Sequence, residues 1–350
     1  VVISSLLLMC TSAIFCIFAP QVVQLLGGSE RLTPLAVEYM LWFVPFSLFT
    51  ALLNSGMFFL RLDGSPNYAM MCNVVAAILN IILDYLFIFP FDWGMLGAAL
   101  ASAIGTTVGA LMIVFYLIRP QCTLRFYPVK LSHNSMKLLG RNIGYMCRLG
   151  SSAFLCEIAI ACMMFVGNQV FIHYLKEEGV AAFSIACYFF PIIFMVYNAI
   201  AQSAQPIISF NHGYAAHGRA QQALRLALIA TIATGLFFLV LTILLREQIA
   251  SLFIADHTNY AWKYAVYGIP FFSICYVFFG INITTIGYYM SIEKSRLATI
   301  FTVLRGIILP VICFFLLPLW LGVKGIWLAV AVAEFITFAV ICINATCKRI

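Results

Sequence analysis

Charge is what this sequence lacks most: Asp, Glu, Lys and Arg together make up 9% of its 350 residues, against 64% hydrophobic ones. A soluble domain of this length has too few charged groups here to cover its surface, so a globular cytosolic protein is excluded and a polytopic membrane protein remains. Other absences narrow the chemistry. No CxxC occurs among twelve cysteines, which excludes a zinc ribbon or a redox motif. The cysteines stand singly in apolar stretches (Cys10, Cys72, Cys162, Cys187, Cys313) and read as small buried apolar residues. The five histidines show no HExxH spacing, and the four aspartates no DxxD or DxxxD, so neither a zinc hydrolase nor a Mg²⁺-diphosphate enzyme is indicated. Val1–Phe18 is apolar from its first residue without a basic leader, which is not a cleavable signal peptide. The net charge of +7 reads as membrane orientation rather than nucleic-acid binding.

What is present is a succession of apolar runs. Spans of about 20 residues predict ten helices, at 1–27, 33–60, 66–91, 94–118, 143–174, 179–206, 221–245, 259–290, 296–318 and 322–346. Turn chemistry separates them, as in Asp63-Gly64-Ser65-Pro66 and Lys176-Glu177-Glu178-Gly179. The longest polar stretch, 119–142, divides a first bundle, 1–118, from a second, 143–350. Within it, 131–141 has the pattern of a short amphipathic helix at the interface, although its basic residues serve topology first. Of the nineteen Lys and Arg residues, thirteen fall in one set of alternate loops and five in the other. The positive-inside rule then places the 119–142 linker and the C-terminus in the cytoplasm.

The chain also repeats weakly. Tyr39, Pro45 and Phe46 recur as Tyr264, Pro270 and Phe271, and Gly94-x-x-Gly97-x-x-Leu100-Ala101 recurs as Gly322-x-x-Gly325-x-x-Leu328-Ala329. Corresponding helices are six apart and so run in the same direction, as in a parallel repeat of two pseudo-symmetric bundles. Four helices before the linker against six after it imply a 6+6 protein, twelve helices in all, with the first two outside this N-terminally truncated sequence.

Asp84 is the only residue charged at neutral pH in the span Asn73–Phe91, and Asn80 lies one turn before it on the same face. Since a charge at bilayer depth costs about 2.5–3.5 kcal/mol on insertion scales, such a residue faces a protein interior or a watery cavity and reads by default as an ion or proton site. The plainer alternative is an Asp that only glues helices together. Glu157, in the first helix after the linker, is either a second functional acid or a polar cavity residue; Asn282 is a further candidate for a polar site in the second bundle. Arg305 and Glu334, on consecutive helices, read as a mutually neutralising pair. Pro45, Pro191, Pro270 and Pro310 fall inside spans and are expected to kink them. Met163, Met164, Tyr188, Phe189, Phe190, Met195 and Tyr197 form either an adaptable drug surface or ordinary core and lipid contacts.

Together, the segments Asn54-Ser-Gly-Met-Phe-Phe-Leu-Arg61 before Gly64-Ser-Pro66, Ile78-Leu-Asn80-Ile-Ile-Leu-Asp84, Gly94-x-x-Gly97, Gln205-Pro206-Ile-Ile-Ser-Phe-Asn211-His-Gly213, and Arg305 with Gly322-Val-Lys-Gly325-Ile-Trp327 resemble the multidrug and toxic compound extrusion (MATE) family over essentially the whole chain. The Gln205–Gly213 loop and the Asn80–Asp84 pair are more similar to its bacterial DinF-type branch. The resemblance implies twelve helices in two lobes, a multi-pass protein of the bacterial inner membrane, and a secondary antiporter with no enzyme activity. It implies that H⁺ or Na⁺ is the coupling ion, with no other cofactor. It further implies export of amphipathic, often cationic drugs by a monomer in the lipid bilayer, with no nucleic-acid partner. In that family an Asp and two Asn residues hold the cation. They match Asp84, Asn80 and Asn54, with Ser102 at a position usually taken by a small hydroxyl residue. The family's first-helix acid has no match here. Two rivals remain: a lipid-linked oligosaccharide flippase, which needs several cavity cations where only Arg305 is intramembrane, and a membrane prenyl transferase, which needs the missing Asp-rich loops.

Overall fold

The computed structural model describes residues 2–25, 33–119, 122 and 133–347, and among these the regular structure is all helix, with no strand. That follows from the composition, because hydrocarbon offers no partner to a free N–H or C=O, and a helix satisfies both internally. The chain divides into two compact units, Val1–Val129 and Lys130–Ile350.

The first unit contains α1 (Val2–Ile17), α2 (Ala19–Leu25), α3 (Thr33–Phe43), α4 (Ser47–Leu62), α5 (Pro66–Ile88) and α6 (Gly94–Ile118). The expected helix 1–27 is interrupted between α1 and α2, where Pro20 removes a donor. Pro45 sits in a 3₁₀ turn, Val44–Phe46, that joins α3 to α4 within one span. The closest packing is between α5 and α6. On α6, Gly97, Ala101, Gly105 and Gly109 recur every fourth residue on one face, and on α5 so do Cys72, Ala76, Asn80 and Asp84. A Cβ on Gly105 would lie 2.7 Å from the Ala76 carbonyl oxygen and 3.2 Å from Asn80 Cβ; one on Gly109 would lie 3.1 Å from the Cys72 carbonyl oxygen. Small residues thus let the two backbones approach as helices do in membranes.

In the second unit, α7 (His133–Gly213) counts 81 residues, far longer than the roughly 20 that cross a bilayer. Its helical geometry breaks at Lys176 (φ 56°, ψ −152°), inside the expected turn, so α7 provides two spans. Its backbone continues through Pro191 and Pro206. Of the stretch 131–141, whose basic residues serve topology first and whose pattern allows a short interfacial helix, the part from His133 is helical and continuous with the first span, while 131 and 132 lie outside the described residues. There follow α8 (His217–Leu244), α9 (Arg246–Phe253), α10 (Tyr260–Ser273), α11 (Cys275–Ser291), α12 (Ser295–Val303), α13 (Leu309–Leu321) and α14 (Val323–Cys347). The expected helix 259–290 is bent by 42° where α10 meets α11, just beyond Pro270. The helix expected at 296–318 carries a π-helical turn, Leu304–Ile308, just before Pro310, whose missing N–H and ring disturb the regular ladder there. Counting α7 once, seven helical segments among the described residues are long and apolar enough to span a membrane, and the α10–α11 pair makes an eighth.

Aromatic side chains fill the second unit's core, including Phe171, Phe183, Phe190, Phe272, Phe279, Phe314 and Trp327. Gly268 faces the Trp327 ring so closely that a Cβ would fall 1.9 Å from Cε2. The Gly-x-x-Gly repeat has a local structural meaning in each unit. Gly94 (φ 52°) and Gly322 (φ 56°) both turn the chain into a helix through a conformation that favours glycine. Gly97 and Gly325 each press on the preceding helix, where a Cβ would lie 2.9 Å from Phe87 Cβ or 2.4 Å from the Leu317 carbonyl oxygen. The described cysteines are free thiols, but Cys10 is exposed and Cys162 half-buried, which corrects the expectation that they are buried. A cysteine is apolar enough to face lipid as well as core.

Candidate coupling site and a buried ion-pair cluster

In the first unit α5 carries Asp84, half-buried and hydrogen-bonded to Asn80 one turn earlier. Asn80 Nδ2 in turn donates to Ser102 Oγ on α6 at 3.2 Å. Asp84, Asn80 and Ser102 are therefore one polar chain across the α5–α6 contact, reached because Gly105 leaves the backbones close together. Asn54 departs from expectation. It is exposed, and its Nδ2 donates to the Thr50 carbonyl oxygen of its own helix at 3.0 Å. The buried face of α4 is Leu53, Gly56 and Leu60, and Asn54 lies about 100° round from Leu53.

The pattern of residues gave no sign of a second polar group in this unit. Tyr116, near the end of α6, donates from its hydroxyl to Asp63 Oδ2 at 2.9 Å and lies 2.6 Å from Ser65 Oγ. The Arg119 guanidinium stands 5.6 Å from the Tyr68 ring centre and 5.9 Å from that of Tyr116, within reach of a cation–π attraction. These contacts tie the Asp63–Pro66 turn to the end of α6. The turn residues were legible as a turn, but the tyrosine that holds them belongs to a helix far along the chain.

In the second unit Arg305 and Glu334 meet as an ion pair, Nε to Oε1 at 3.1 Å, with both side chains 3% exposed. Asn282 joins them: its Nδ2 donates to Glu334 Oε2 at 2.7 Å and to the Glu334 carbonyl oxygen at 2.9 Å. Arg305 also reaches Cys156 Sγ at 3.8 Å and lies 4.5 Å from the centre of the Phe279 ring. The π-helical turn contains Arg305, and Gly306 beside it abuts α7, where a Cβ would fall 2.2 Å from Ala159 Cβ. Glu157 stays outside this cluster. It is exposed on α7, whereas its neighbour Cys156 touches Arg305. Of the aromatic and Met residues read as a drug surface, Met163, Phe190 and Tyr197 are buried in the core, and Tyr188 and Met195 are exposed. Among the described residues no group of three or more His, Cys, Asp or Glu converges as a metal centre would.

Comparison with known proteins adds the family. The MatE family model matches residues 1–86 and 153–315. Multidrug export protein MepA of Staphylococcus aureus (strain NCTC 8325 / PS 47) is 25% identical over 324 residues, covering 91% of this chain and 68% of that protein. MepA of Staphylococcus saprophyticus is 23% identical over 319 residues, covering 90% and 68%. Among solved structures, an outward-facing multidrug resistance MATE family transporter superposes with TM-score 0.85 at 22% identity, over 97% of this chain and 75% of that one. A mutant of the Vibrio cholerae MATE transporter VcmN gives 0.86 at 20% identity, over 97% and 75%. A family model matched over most of the chain, on an all-helical membrane fold shared with these transporters, places the chain in the MatE family of multi-pass membrane transporters.

Proposed function

We propose that this transporter exports small amphipathic organic molecules, often cationic, in exchange for inward-moving H⁺ or Na⁺, and that Asp84 carries the coupling ion. The observation behind this is the polar chain Asp84–Asn80–Ser102, set into an apolar helix pair at bilayer depth. A carboxylate there holds a proton covalently, or holds a hard cation with help from the amide and hydroxyl oxygens of Asn80 and Ser102. The MepA relatives, named as multidrug exporters, support the substrate class. The thirteen-to-five bias of basic residues supports a cytoplasmic linker side and C-terminus. Arg305 and Glu334 serve structure, since each neutralises the other.

The test is transport of a fluorescent cationic dye in membrane vesicles with imposed Na⁺ or pH gradients. Wild type exports dye when the gradient of its coupling ion, Na⁺ or H⁺, is directed inward, and Asp84→Asn, which keeps volume and removes the titratable group, inserts normally but does not. Undiminished gradient-driven export by Asp84→Asn would remove Asp84 from the mechanism.

A further inference from the structure

In the second unit a groove of about 840 Å³ runs between the C-terminal half of α7 and the first half of α8, away from the Arg305 cluster. It exists because the facing positions are small, Ala199 and Ser203 on α7 against Ala223 and Ala230 on α8. Its walls are mainly apolar, with Val196, Ile200 and Leu226 among them; apart from Ser203, its polar groups, Asn211, Arg219 and Gln222, gather towards one end. Arg219 is in the first turn of α8. From Arg219 to Ala230 the groove follows the helix for about 16 Å, close to one leaflet of a hydrocarbon core roughly 30 Å thick.

Charge at the polar end favours an anion. Arg219 is exposed, and no acidic side chain among the described residues pairs with it. The turn leading into α12, with Lys294 in it and Arg296 just inside the helix, belongs to the same end, because Ile292 and Ala298 pack in one cluster with Ile208 and Ala220. The acid in that turn, Glu293, is engaged by the Tyr145 hydroxyl. His212 and His217 stand beside the mouth with ring centres 5.5 Å apart. A cationic substrate is repelled from such an end, so the groove does not extend the proposed export path.

We propose that this groove holds one acyl chain of an anionic phospholipid, with the lipid phosphate on Arg219. Apolar walls one leaflet deep, capped at the bilayer surface by an unpaired guanidinium, match the polarity profile of such a lipid. The surrounding basic residues draw it from an anionic leaflet.

The experiment incubates the detergent-purified protein with equal amounts of palmitoyl-oleoyl phosphatidylglycerol and the phosphatidylcholine of the same chains, and counts retained lipid by native mass spectrometry. Wild type is expected to retain one phosphatidylglycerol with about fivefold preference, the effect of one Arg near a lipid headgroup. Arg219→Gln removes the preference and Arg219→Lys keeps most of it, so a folding defect is told apart from loss of the contact. Ala230→Trp, which fills the apolar end, lowers retention of both lipids. Equal retention of the two lipids by wild type, an undiminished preference in Arg219→Gln, or retention of a fatty acid in place of phospholipid would each overturn the proposal. No variant alters Asp84, so this result stands or falls separately from the transport assay.

Discussion

Arg305 Nε lies 3.1 Å from Glu334 Oε1 with both side chains 3% exposed, so each charge depends on the other for most of its compensation. Removing one member leaves a buried charge without its partner, which typically costs about 3–5 kcal/mol. Glu334→Ala and Arg305→Ala are each expected to destabilise the protein by that amount in thermal or denaturant unfolding in detergent. The double substitution Arg305→Met, Glu334→Leu removes both charges and should lose less than either single change. A double variant as unstable as the sum of the two singles would mean that the pair is not energetically coupled.

The α5–α6 contact leads to a second prediction. Gly105→Ala places a Cβ 2.7 Å from the Ala76 carbonyl oxygen and forces the helices apart, an overpacking that costs about 1–3 kcal/mol. Gly144→Ala meets nothing within 4 Å and replaces a helical glycine, so it should be neutral or slightly stabilising. Unfolding curves of the two variants compare them directly. The first should also weaken gradient-driven transport, because Asn80 shares that contact.

The membrane spans were legible in the residues, because long apolar runs bounded by turn residues leave few alternatives in a bilayer. The bend between α10 and α11 and the irregular turn at Arg305 were foreshadowed by Pro270 and Pro310, which were expected to kink their spans. The bend angle, the π-helical form of that turn and the short α9 were not legible, because no local pattern sets them. Asp84 and Asn80 were legible by their spacing of four. Asn54 was assigned through a family motif, and a motif does not state which way a side chain turns. Asn282, Arg305 and Glu334 were each singled out, but Asn282 was read apart from the pair because it lies on α11, far along the chain from Glu334 on α14. Glu157 shows the limit from the other side: one position along a helix is a turn of about 100°, and Cys156 rather than Glu157 meets the cluster.

The contrast between Asn80 and Asn54 can be measured. Asn80→Leu removes the hydrogen bonds to both Asp84 and Ser102, and the initial rate of ion-driven export should fall at least tenfold, equivalent to about 1.4 kcal/mol. Asn54→Ala removes an amide that serves its own helix and should change the rate less than twofold. A larger loss in Asn54→Ala than in Asn80→Leu would mean that Asn54 turns towards Asp84 during transport.

Voltage dependence tests whether Asp84 carries the coupling ion alone. One charge moving inward across about 100 mV releases about 2.3 kcal/mol, which is a bias of about 50-fold, since about 1.4 kcal/mol is tenfold. With a single coupling ion and a neutral substrate, the steady-state concentration ratio should therefore change about tenfold for every ~60 mV. With a monovalent cationic substrate exchanged one for one, the cycle moves no net charge. The ratio should then ignore voltage and follow the Na⁺ or H⁺ gradient alone. Measuring both substrates in the same vesicles, with the potential clamped by K⁺ and valinomycin, separates the two cases. A slope of two charges for the neutral substrate would require a second ion site, for which the exposed Glu157 is the first residue to test. Accumulation indifferent to voltage, Na⁺ and pH for both substrates, or dependent on ATP, would show that the chain is not a secondary antiporter.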